Sequence, residues 1–196
     1  MNPIKKLSLL LSALLICGLC FPAAASDFTV RTAGTLPPPA SGGVKNPGVA
    51  GAFIGGIGDR IVVAGGSNFA QGAPWEGGAK QFEDAIYLLA PSGGAYECKL
   101  VADEKLPVGI AHGCAAAAGR SLYCFGGQTS EGESHAVYAL TPVGNSVRVD
   151  VVGELPEGFR PAAALAYKEE IYIHGVKDGA NAFRRCLLYT SPSPRD

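Results

Sequence analysis

Ser67, Asn68, Trp75, Glu76 and Lys80 crowd a glycine-rich stretch that comes directly after the pair Gly65 and Gly66. Together they supply hydrogen-bonding groups, an aromatic plate and both signs of charge, a mixture suited to holding a polar ligand. Each also has a purely structural reading. Trp75, the single tryptophan of the chain, would serve as a plug packing its loop onto a sheet. Glu76 and Lys80 would form a solvated pair of little energetic weight. The equivalent stretch after Gly126 and Gly127 offers Gln128, Thr129 and Glu131. Asn68, Trp75, Glu76, Lys80 and Gln128 are the candidate substrate-binding residues.

Other chemistries find little footing. His112, His135 and His174 stand 23 and 39 positions apart, without the short pairings of metal sites, so no metal is expected. His112 falls in a predicted inner strand, as a core histidine or a residue lining a central channel. Arg160 reads as a hydrogen-bonding link between neighbouring repeats, with an anion contact as the other reading. Gly55, Gly56 and Gly58 miss the full dinucleotide spacing and lie between two strands, so no nucleotide cofactor is implied. No serine or cysteine has a recognisable nucleophile setting. No cofactor is expected.

The elements that must position these residues are bounded by the composition and the ends. The chain has 196 residues, 47% of them hydrophobic, with a formal net charge of −1 and 27 glycines. Lys5 and Lys6, an apolar run and Ala23, Ala24 and Ala25 predict a secretory signal over residues 1–25, hence a periplasmic or secreted protein with no membrane span after cleavage. Cys17 and Cys20 fall inside that leader. Residues 186–196 read CLLYTSPSPRD, which resembles the translation of a transposase sequencing adapter; the native frame is expected to end near Arg185. Residues 26–185 carry 13 basic and 16 acidic side chains, an excess of acid that gives no footprint for nucleic acid. Among Cys98, Cys114 and Cys124 one pair could close in an oxidising compartment, or all three could remain thiols. A two-residue turn at Gly119 and Arg120 sets Cys114 against Phe125 and Cys124 against Ala115, one register step from a direct pair.

The chain repeats itself. TAGTLP, ADEKLP and VGELP each come after a strand-like stretch, at residues 28–31, 96–101 and 147–151. Each is followed by a hairpin of apolar runs that closes in a glycine pair or its remnant, and then, twice, by a strand bearing a tyrosine, AIYLL and AVYAL. Leu106 and Leu155 are 49 positions apart; Leu36 and Leu106 are 70 apart, with the excess mostly in loops around the first hairpin. Four short strands in about 50 residues is the size of a propeller blade of the kelch type.

Double glycine after an apolar strand, an aromatic strand and then LP is similar to kelch repeats. More narrowly, GVAGAFIGGIGDRIVVAGGSNF with PWEGGAKQFEDAIYLL resembles a blade of the cyclically permuted mutarotases, relatives of the N-acetylneuraminate epimerases. The resemblance implies an all-β, kelch-type propeller of six antiparallel four-stranded blades, of which residues 26–185 hold an orphan outer strand, two full blades and the hairpin of a third. It implies a cofactor-free isomerase that opens and recloses a sialic-acid-like sugar by acid–base chemistry. The family's glutamate and arginine motif has no match here, so the chain itself is expected to be a fragment without activity and its catalytic residues stay unknown. The other reading is a non-catalytic kelch module that binds a glycan or a protein. The exact sugar and the oligomeric state are not legible.

Overall fold

The computed structural model describes residues 29–39 and 44–187. The expected leader and residues 188–196 of the expected tail lie outside the described residues. The chain divides into a unit of residues 1–32 and a unit of residues 33–196. In the first, residues 29–31 are paired in no strand; Phe28 lies outside the described residues. A single extended segment with no ladder partner gains none of the hydrogen bonds that define a strand. Every strand among the described residues belongs to the second unit.

The first sheet of that unit holds β1 (Phe53–Ile57), β2 (Arg60–Ala64), β5 (Ile86–Ser92) and β6 (Ala95–Leu100), paired in that order. Between β2 and β5 the chain leaves the sheet, and the short β3 (Ser67–Asn68) and β4 (Gln81–Phe82) pair with each other. The second sheet is a meander of β7 (Cys114–Ala118), β8 (Ser121–Thr129), β9 (Gly132–Val143) and β10 (Ser146–Glu154). The third has β11 (Phe159–Tyr167), β12 (Glu170–Lys177) and β13 (Ala180–Leu187). All pairings are antiparallel. The fold is all-β, with the four-stranded sheets of a propeller fragment and no closed ring among the described residues.

The third sheet has one strand more than the predicted hairpin. Asp178 and Gly179, both at positive φ (53° and 78°), close a two-residue turn that carries the chain from Lys177 back at Ala180. Such turns match the twist of the strands they join. β13 runs to Leu187, so Cys186, the first residue of the adapter-like stretch, sits in the ladder opposite Ile171 and packs on the neighbouring core.

The sheets stack in chain order, because alternate residues of the second sheet serve two cores. Leu122, Cys124, Tyr138 and Leu140 join Phe53, Val62, Ile86, Leu88 and Leu106 of the first repeat. Cys114, Phe125 and Val137 join Phe159, Ile171 and Ile173 of the third sheet. β7, which touches both β1 and β11, is the sequence CAAAA. Alanine has no strand preference of its own; it is used because the sheets crowd here. On the facing strand, a Cβ at Gly55 would run into the Leu122 side chain.

The repeat is visible in hydrogen bonds as well. The buried leucines of the LP turns donate alike: Leu106 N–H to the Asp84 carbonyl at 2.9 Å and Leu155 N–H to the His135 carbonyl at 2.7 Å. The glycine pairs are structural, as read from the sequence. Gly65 and Gly66 have φ of 65° and 105°, Gly126 and Gly127 of 54° and 129°, and a Cβ on Gly127 would lie 2.7 Å from the Ala111 carbonyl. Gly55, Gly56 and Gly58 lie in the β1 to β2 hairpin.

Candidate functional site

Gly65 and Gly66 come directly after β2, while Gly126 and Gly127 sit at a register shift inside β8, and the polar residues after both pairs flank the same histidine. Ala50 bridges to Ser67 in the first repeat as Ala111 bridges to Gln128 in the second. Ser67 and Gln128 are therefore equivalent positions, and so are Gly51 and His112, each one residue past the bridge. These last two touch across the seam between the sheets: the His112 amide donates to the Gly51 carbonyl at 2.8 Å.

His112 is the hub. The sequence set it within an inner strand; the structure puts it in the bend before β7, at φ 62°. Its backbone leaves the ladder because Ala111 is tied to Gln128 on one side while its own amide crosses to Gly51 on the other. A left-handed non-glycine residue costs about 1–3 kcal/mol and persists only where its surroundings enforce it. Gly51, itself at φ 65°, contributes by having no side chain: a Cβ there would overlap the imidazole and its amide.

Around the ring stand Lys80, whose Nζ is 2.8 Å from His112 Nε2, and the buried Ser67, whose Oγ is 3.2 Å from the same nitrogen. An ammonium only donates, so Nε2 is the acceptor toward Lys80 and the ring proton sits on Nδ1. Lys80 Nζ also lies 4.9 Å from the centroid of the Phe82 ring. Among the described residues no carboxylate pairs with it, so its positive charge is available to a ligand. Asn68 is fixed at both ends of its amide: Nδ2 donates to Glu83 Oε1 at 2.8 Å, and Oδ1 accepts from the Ala70 amide at 3.1 Å. Ser67, Asn68, Phe69, Lys80 and His112, with the strand-entry residues 47–50, line an open recess of about 570 Å³.

Of the residues chosen from sequence, then, Asn68 and Lys80 share one recess. Trp75 and Glu76 do not reach it. Both sit in a short 3-10 turn, Pro74–Glu76, on the arm between β3 and β4. Trp75 is 85% exposed, so the plug reading is wrong. Glu76 turns back to accept from the Ala73 amide at 3.3 Å instead of pairing with Lys80. Gln128 is exposed and shares with His112 a second, smaller recess, lined also by Glu133, Ser134, His135 and Arg160. Arg160 stands near the neighbouring sheet, its Nη1 3.7 Å from Glu133 Oε1, an ion pair and not the hydrogen bond expected from the sequence.

Sequence reasoning missed Glu83 and Glu133, which are not adjacent to a glycine pair, and it left His112 undecided. The repeat held a usable signal: aligning Ser67 with Gln128 sets a glycine in one repeat against a histidine in the next. Among the described residues no group of three or more histidine, cysteine or acidic side chains is placed to hold a metal ion. No described helix is long and apolar enough to cross a membrane.

No family profile matches the chain. Over 123 residues, 58% of this chain, it is 34% identical to the N-acetylneuraminate epimerase of Brucella melitensis biotype 1. Over the same length it is 33% identical to the N-acetylneuraminate epimerase of Brucella suis. The match spans 30% of the length of each of these curated relatives.

Proposed function

We propose that this chain is part of an exported sugar epimerase or mutarotase acting on N-acetylneuraminate or a similar acidic sugar. The recess of Ser67, Asn68, Lys80 and His112 is where the chain meets that sugar. The observation that carries this reading is the Lys80 ammonium, held 2.8 Å from a strained histidine and free of any carboxylate partner among the described residues, within a recess of about 570 Å³. A fixed ammonium complements a carboxylate, and the oriented Asn68 amide and Ser67 hydroxyl complement ring hydroxyls. The partial similarity to curated N-acetylneuraminate epimerases supports the same ligand class.

Ring opening asks one group to take the anomeric hydroxyl proton and another to protonate the ring oxygen, a pair of tasks worth about 10²- to 10⁴-fold each when positioned. No residue within 26–185 is assigned to either task, so this chain is expected to bind the sugar without accelerating its anomer exchange. The test is magnetisation-transfer NMR on N-acetylneuraminate with the purified chain present. Saturable line broadening with an unchanged exchange rate is expected; a rate rising with protein concentration would overturn the inactivity, and no broadening would overturn the binding. The exposed Trp75 is the one observation that favours the second reading, a non-catalytic module whose arm contacts a glycan or protein.

A further inference from the structure

His112 also lines a second recess, of about 110 Å³, which Lys80 does not reach, with room for about three or four waters at ~30 Å³ each. It is lined by Glu133, His135 and Arg160 as well as His112 and Gln128. Three observations make it a site. The Glu133 and Arg160 head groups stand 3.7 Å apart, well beyond the 2.7–2.9 Å of a charge-assisted hydrogen bond, so both keep free bonding capacity. The Arg160 and Glu133 side chains are 65% and 48% exposed, so neither is committed to packing. His135 Nδ1 is cut off from water and has no hydrogen-bond partner among the described residues. An orphaned N–H is the rarer state in a buried place, which favours the tautomer with the proton on Nε2, at the ring's other edge.

We propose that this recess is a subsite for a vicinal diol. Each hydroxyl of such a pair both donates and accepts, and Glu133 supplies an acceptor beside the donors of Arg160, with His135 lining the same recess. Opposite charges on the two exposed heads make the recess near neutral, which suits hydroxyls better than a second anion. The subsite deepens the sugar reading, on which it rests, by adding recognition of a neutral hydroxylated edge next to the charged recess with which it shares His112.

The test uses the whole chain, labelled with ¹⁵N, and glycerol as probe, with 1,3-propanediol as the diol whose hydroxyls are not adjacent. Glycerol has no carboxylate, so the outcome does not depend on whether an acidic sugar binds near Lys80. A saturable shift of the His135 side-chain nitrogens with glycerol, none with 1,3-propanediol, and affinity at least tenfold weaker in both Glu133→Gln and Arg160→Gln are expected. These two positions are surface residues, and backbone amide spectra of the variants check that they fold. No saturable shift, equal shifts with both diols, or unchanged affinity in either variant would overturn the subsite.

Discussion

Gly51 and His112 constrain each other at the seam, and a single methyl group tests the arrangement. Gly51→Ala adds a Cβ at φ 65° into space held by the imidazole and its amide. Loss of about 1–3 kcal/mol in urea unfolding is expected, with Lys80 set loose from His112. Lys80→Ala, by contrast, removes an exposed side chain, and its stability should stay within about 0.5 kcal/mol of the parent. Equal losses in the two variants would contradict the assignment of His112 as the strained hub. Asn68 and Lys80 were picked out in the sequence as polar residues that come after a glycine pair, and both line the same recess. Their meeting with His112 was not, because Lys80 and His112 are 32 positions apart and join through a seam between sheets. Glu83 was equally hidden, since it is recognised only through the Asn68 amide that it holds.

The second sheet carries two buried thiols on opposite faces. The turn at Gly119 and Arg120 does set Cys114 against Phe125 and Cys124 against Ala115, as the sequence predicts, and a one-residue step in a strand turns the side chain over. Cys114 lies in the core toward the third sheet and Cys124 in the core toward the first. Cys98, Cys114, Cys124 and Cys186 are all free. Intact mass under non-reducing conditions, after oxidation of the folded chain, should show no bridge between Cys114 and Cys124; finding one would contradict the register. Burial also pushes the Cys114 thiol up from 9.0 to about 11, and it raises Cys124 and the Tyr87 phenol in the same direction. The unfolded chain then loses the Cys114 proton near pH 9 while the folded chain keeps it, so stability falls as pH rises from about 9 to 11. Urea midpoints across that window should decline less steeply in Cys114→Ala. The strands were legible through alternation and turns, but β13 was not: the Asp178 and Gly179 turn signal was present, and the few residues left before the adapter-like stretch showed no clear alternation.

At the scale of the whole molecule, the third sheet has a face that no other sheet covers among the described residues. Leu165, Tyr167 and Phe183 lie on it, 66%, 58% and 75% exposed. An apolar face of this kind drives self-association. Sedimentation velocity should show mass rising with concentration, and the double substitution Leu165→Lys with Phe183→Lys should suppress it. The repeating architecture was legible because LP turns, glycine pairs and tyrosine strands recur with their spacing. The proposed function was approached from the sequence only through a resemblance and a cluster of polar residues, since a recess built from two sheets has no contiguous signature. The most direct test of the account is a ¹⁵N-detected titration of the chain with N-acetylneuraminate, comparing the parent with Lys80→Ala. Saturable shifts confined to Ser67, Asn68, Lys80, His112 and their neighbours, with affinity at least tenfold weaker in the variant, are predicted. Shifts centred elsewhere, or equal affinity in the two proteins, would contradict it.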